Sequence, residues 1–310
     1  MMGKVSVLAV CIASLLCLPL LAQDALDLEG ALALYQDDHI ALEFSEAGKL
    51  QLEELIDVLR AELGVTDDLN EGNEDRVMEF AVAPESKHLA SKLSQAYYTL
   101  ANLYLDEPED EQVYIKGKHW GMKSLRMNPE FSRIESEQGF VEAVEQENDV
   151  AALYWTNSNW LRQAQKHPLM AVTVWNIPPK VKAIMERCLE IAPDYIAGGP
   201  YRQAGGYYAG LPIGQDLDLA LTYFCHINVE PVCDTCEELD VSQRVAGADL
   251  YLENRTFIAE FYYMETEMWA EAKAVLESVL AEEVTDVYPL MNAYAQENAR
   301  QLLATVEEKL

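Results

Sequence analysis

Between Pro193 and Pro212 the chain reads PDYIAGGPYRQAGGYYAGLP, and the reading of this stretch decides the fold. A loop accounts for its glycines but not for its tyrosine spacing. A strand interior tolerates neither flanking proline. Tyr201, Ala204, Gly205 and Tyr208 recur at helical spacing, so the stretch reads as a helix entered through a Gly198-Gly199-Pro200 turn. Ala204 and Gly205 are small enough to let a second helix cross closely, with Tyr208 as a packing knob.

That second helix follows in DLDLALTYF, residues 216–224. Ala220 and Phe224 match the A-x3-F of a tetratricopeptide second helix, Tyr201, Ala204, Gly205 and Tyr208 match its first, and Pro231 stands near the expected stop. Tyr97, Leu100, Ala101 and Tyr104 give another first helix; its second carries Gly117 and Ser124 at the small positions and ends at Pro129. VKAIMERCLEIAPDY, with Cys188 at a small position and Pro193 as the stop, and WAEAKAVLESVL, with Ala272 and Leu276, are partial copies. LQLEELIDVLRAEL (50–63) is a further amphipathic helix. DEPEDEQ (106–112) reads as an acidic loop, and no alternating segment argues for strands. The expectation is an all-α chain of degenerate tetratricopeptide-like helix pairs, curved around a cavity or groove. It divides into a leader (1–22), an N-terminal helical region packed on the repeats (23–90) and the repeat domain (91–310).

The composition narrows the partners. Of 310 residues 50% are hydrophobic, enough for a sizeable core, and Asp+Glu 53 against Lys+Arg 22 leaves a net charge of -31. Such a surface repels nucleic acid and anionic membranes. Lys4, the apolar run Val5–Leu21 and Ala22 have the layout of a secretory signal peptide. Neither Cys11 nor Cys17 follows the small residue expected before a lipidated cysteine, so an exported, periplasmic protein without a lipid anchor is expected. Cys188, Cys225, Cys233 and Cys236 remain after cleavage, an even number that favours disulfides in an oxidising compartment, with the pairing open.

The segments 97–131, 152–164 (ALYWTNSNWLRQA), 185–212 and 216–224 occur in the same order in another group of proteins. In these the chain resembles the T component (TatT) of TRAP, or tripartite ATP-independent periplasmic, transporter systems. The resemblance covers roughly residues 90–310. It implies a tetratricopeptide-like fold, a homo-oligomer such as a trimer, work beside the periplasmic solute-binding protein (the P component), and an internal channel or cavity for an apolar ligand. It implies no catalytic residue and no cofactor. The insert CHINVEPVCDTCEELD (225–240) and the lack of a lipidation site depart from the pattern.

Candidate chemistry is sparse. Cys233-Asp-Thr-Cys236 lacks the strand–helix setting of a redox motif. Cys225, His226, Cys233 and Cys236 could supply zinc ligands, but adjacent helical residues point about 100° apart, and a disulfide is the simpler expectation. TDDLNEGNED (66–75) fails as a calcium loop, because aligning Gly72 to the sixth position puts Leu69 at the third. His39, His88, His119, His167 and His226 sit in no nucleophile motif, and no glycine-rich phosphate loop follows a strand. The remaining signal is aromatic, with 16 Tyr against 7 Phe. Tyr154, Trp155, Trp160, Tyr201, Tyr207 and Tyr208 cluster in the middle repeats and are the expected ligand-binding residues; ordinary helix packing is the simpler account of any single one, and only the cluster as a whole sets binding level with it. The expected function is therefore a non-enzymatic carrier of a small apolar ligand, or partner of the solute-binding protein. The alternatives are a periplasmic protein–protein scaffold unrelated to transport, or a thiol or metal enzyme built on the 225–236 insert.

Overall fold

The computed structural model describes residues 26–36, 38–65, 83–228, 236 and 243–310. The leader, the TDDLNEGNED stretch, Pro231 and Cys233 lie outside them. Asp27 caps helix α1 (Leu28–Ala33) by accepting the Gly30 N–H. A hairpin of two-residue strands, β1 (Tyr35–Gln36) and β2 (His39–Ile40), follows. Helix α2 (Glu46–Glu62) starts where the Ser45 hydroxyl accepts the Gly48 N–H at 3.1 Å. Its leucines at 52, 55 and 59 all face inward, as their spacing predicts.

Helices α3 (Lys87–Tyr104) and α4 (Glu109–Arg126) pack along each other. The acidic run between them is only partly a loop. Glu109, Asp110 and Glu111 form the first turn of α4, where three carboxylates offset the positive end of the helix dipole. At the other end Asn128 caps a new helix, α5 (Pro129–Glu137), with Pro129 at its first position, so the expected stop is also a start. Short α6 (Phe140–Gln146) leads to α7 (Val150–Lys166), capped by Asp149, and α7 continues through α8 (Pro168–Thr173) to α9 (Pro178–Ile191). Then come α10 (Tyr195–Gly210), α11 (Leu217–Cys225), and α12 (Glu253–Ile258), which widens into a π-helical turn over Ala259–Met264. Helices α13 (Trp269–Ala281) and α14 (Pro289–Glu307) complete the described chain, which is all-α apart from the small hairpin.

Two crossings depend on missing side chains. A Cβ on Gly121 of α4 would lie 2.1 Å from the Thr156 Oγ1 of α7. One on Gly205 of α10 would lie 2.4 Å from the Phe224 ring of α11. The helices approach as closely as they do because these positions carry no side chain. One core cluster joins α2, α3, α4, α7 and α9 through Leu55, Leu93, Trp120, Leu153 and Ile184. A second joins α10 to α14 through Phe224, Ala259, Leu276 and Ala299. The stretch quoted above bridges them, with Ile196 and Ala197 in the first cluster and Ala209 in the second.

Cys225 and Cys236 form a disulfide with their Cα atoms 5.0 Å apart. Cys188 is not a disulfide partner: it is a free thiol, turned into the core from α9 with no exposed surface. Burial pushes its pKa up to about 12, so it behaves as a small hydrophobe. With two of the proposed zinc ligands bonded to each other, the remaining histidine of that set, His226, places Nδ1 2.8 Å from the Gln243 carbonyl.

Candidate functional site: a groove along helix α7

The inner face of α7 presents Tyr154, Ser158, Leu161, Arg162 and Gln165, spaced to fall on one side of the helix. Opposite stand Arg202, Gln203, Gly206, Tyr207 and Gly210 from α10, with Phe257 of α12 closing the wall. Between them run two adjoining open pockets, which share Leu161, Gln165, Gly206 and Tyr207. The first is an apolar arm, walled by Pro168, Ala171 and Val172 of α8 and by Ile177 and Val181. The second has a buried polar base of Tyr154, Arg202 and Gln203, and its more exposed part mixes Arg162 and Gln165 with Leu161, Tyr207 and Phe257.

The base of the second pocket is a built hydrogen-bond network. Arg202, 3% exposed, donates to the Asn254 Oδ1 at 2.6 Å and to the Tyr154 hydroxyl at 3.0 Å. Its Nε faces the Glu253 carboxylate at 3.3 Å, and its guanidinium lies 4.3 Å from the Tyr251 ring. Burial opposes the charge on Arg202, but Tyr154, Tyr251 and Glu253 outweigh it and raise the pKa, so the cation persists. Gln203 accepts from the Asn157 amide at 2.8 Å and donates to the Ser158 hydroxyl at 2.7 Å, tying α10 to α7.

The entry to α10 is unusual. Ile196 and Ala197 take left-handed φ angles of 46° and 51°, followed by Gly198 at 83°. A β-branched residue in that region is strained, and such strain persists only when the surroundings hold it. Asn254 does so, donating to the carbonyls of Ala197 at 3.0 Å and Ala248 at 2.8 Å. The regular helix then begins at the Gly199-Pro200 step expected from the sequence.

Of the expected ligand-binding residues, Tyr154 and Tyr207 line the groove, and Tyr207 belongs to both pockets. Trp155 points into the core, where its indole N–H donates to the Tyr195 hydroxyl at 3.2 Å. Trp160 is also buried, edge-on to Phe140. Tyr201 and Tyr208 lie on another face, Tyr201 stacked on His226 at 4.3 Å and Tyr208 on Tyr223 at 5.7 Å. Sequence reading missed Arg162, Arg202, Gln203 and Phe257. The available signal was the i, i+4, i+8 register of Arg202, Gly206 and Gly210 with Tyr154, Ser158 and Arg162. It is readable only once the two helices are known to face each other.

Among the described residues, no helix is long and apolar enough to cross a membrane, and no group of three or more His, Cys, Asp or Glu side chains is placed to hold a metal ion. No curated protein is similar enough to the chain to be matched. Helices α3 to α11, with the α7 and α10 walls of the groove, all fall within residues 80–227, the span that matches the family model TAtT, the TRAP transporter T-component.

Proposed function

We propose that the protein is a non-enzymatic accessory component of a TRAP transport system that holds a small organic molecule with a large apolar part in the groove along α7. One observation carries the reading: two adjoining pockets share one helix-lined wall that is apolar at one end and ends in a rigid polar base. Burial of apolar ligand surface against Leu161, Ala171, Ile177, Val181 and Tyr207 supplies the affinity. The base orients the molecule without chemistry. The reading continues with export to the periplasm through the 1–22 leader, delivery of cargo to or from the solute-binding protein, and assembly as a homo-oligomer.

Exposed apolar side chains beside the apolar arm support a protein contact there. Leu169 and Met170 sit on α8 between wall residues, and Ile213 directly follows the lining residue Pro212. Single exposed leucines are ordinary, but several around a pocket mouth suit a transient partner.

Gly206 offers the direct test of the ligand reading. It lies on the shared wall, and a Cβ there meets only the Phe257 ring, at 3.5 Å. Gly206→Leu therefore fills the junction without displacing backbone. Native mass spectrometry with organic extraction should find a discrete small molecule on the wild-type protein and none on Gly206→Leu, at equal far-UV circular dichroism. Equal extraction from both proteins, or none from either, would remove the groove as the site and leave the scaffold reading.

A further inference from the structure

The groove holds two arginines in different electrical situations. Arg202 is saturated by Asn254, Tyr154 and Glu253. Arg162, eight residues beyond Tyr154 on α7, is half-buried in the middle of the groove, where it lines the polar pocket and the adjoining pocket toward Tyr114 and Tyr294. Its side chain donates to the amide oxygen of Gln165, one turn on, at 3.3 Å and also engages the Tyr98 hydroxyl, and the Phe257 ring lies 5.9 Å away. Among the described residues no carboxylate stands within ion-pair distance of it. This is notable in a chain with 53 acidic residues against 22 basic ones.

Glu253 favours the charge on Arg162 from beyond ion-pair distance, and the other described groups around it form no ion pair with it. Tyr98, Tyr114 and Tyr294 are within its electrostatic reach, and burial raises their pKa values, so they surround it as neutral phenols. Glu253 is engaged by Arg202, and Asp110 by Lys166 at 2.6 Å. Glu260, on the π-helical turn, makes no ion pair with Arg162; burial raises its pKa and Arg162 lowers it. A partly desolvated guanidinium without a counter-ion is costly, and a bound anion recovers that cost. Its planar fork suits a carboxylate or sulfonate, two donors to two oxygens. From Leu161, next to it on α7, the apolar arm extends past Ala171 to Val181.

We propose that the groove takes an amphipathic anion, with its acidic head on Arg162 and its apolar tail in the arm between α7, α8, α9 and α10. The inference rests on the ligand-binding role proposed above and names the chemical class of the ligand.

The test is a binding titration of the mature protein with decanoate, decane-1-sulfonate and decan-1-ol, which share a tail and differ in the head. Both anions should bind more tightly than the alcohol, and the tighter of the two identifies the head. Arg162→Gln should weaken both anions by about tenfold or more, the usual scale for a hydrogen bond to a charged group, and leave the alcohol unchanged. Arg162→Lys, which keeps the charge and loses the fork, should fall between. Circular dichroism of each variant confirms the fold. Equal binding of all three probes, or undiminished anion binding by both Arg162 variants, overturns the proposal. If the alcohol still binds in those cases and Gly206→Leu abolishes it, the groove stands as an apolar site without an anion anchor. If no probe binds and nothing is extracted from the purified protein, the ligand-binding reading falls with it.

Discussion

The Arg202 guanidinium donates to the Tyr154 hydroxyl at 3.0 Å across the base of the groove, joining α10 to α7. Tyr154 was reached from the sequence as an aromatic, yet its hydroxyl is what places it: the ring packs edge-on to Trp155 and Tyr195 while the oxygen accepts a charged hydrogen bond. The same guanidinium neutralises Glu253, so the base of the groove is one connected unit.

Breaking that unit should be expensive. Arg202→Met leaves Glu253 buried without its cation, and removing one partner of a buried pair typically costs about 3–5 kcal/mol. Arg202→Met with Glu253→Gln should recover part of the loss. Urea unfolding of the single and double variants measures the coupling; equal midpoints for the two would show that the pair does not act together.

The α4–α7 crossing should tolerate nothing larger than glycine at 121. Gly121→Ala places a methyl 2.1 Å from the Thr156 Oγ1 and 2.9 Å from its Cα, so the helices must part. A loss of about 1–3 kcal/mol is expected, as for other overpacked sites. Thermal unfolding checks it, with Gly210→Ala as the control, since a Cβ at Gly210 meets nothing within 4 Å.

Cys188 should be chemically silent. Its pKa of about 12 and complete burial predict no labelling by iodoacetamide at pH 8 in the native protein, and full labelling in denaturant. Peptide mapping resolves Cys188 from the other cysteines. Rapid native labelling of that peptide would contradict its placement in the core.

Glu260 sets a pH dependence of stability. Burial comes first among the causes that raise its pKa above 4.5, with Glu253 and Glu265 adding to it and Arg162 opposing. The raised value means that the folded state favours the protonated acid. Its stabilising contribution is therefore present below the unfolded pKa and is lost as pH rises through the folded one. Glu260→Gln should gain thermal stability relative to the wild type on going from pH 4 to pH 7. A constant difference between the two proteins over that range would contradict the assignment.

Much of the secondary structure was legible along the chain because its causes are local. Leucines at helical spacing in α2 and Pro200 opening the regular part of α10 act over one or two turns. Gly205 was legible for the same reason: a glycine between apolar helical positions signals close approach, and Phe224 fills that space. The boundary at DEPEDEQ was misplaced because a helix's first turn welcomes acids as readily as a loop does.

The site was legible only in part. Tyr154 and Trp155 are neighbours of the same chemical kind, but one residue turns a helix by about 100°, so one borders the groove and the other enters the core. Which of them faces outward depends on where α10 lies. The choice among cysteines was likewise spatial, since Cys225 and Cys236 can meet while Cys188 faces the interior of another helix pair. Arg162 and Arg202 carry no pattern that separates them from surface arginines. Local propensity and periodicity thus set the helices and their apolar faces. The groove, its polar base and the unpaired cation within it arose only when distant segments were packed together, because burial and electrostatic pairing depend on neighbours that the chain order does not name.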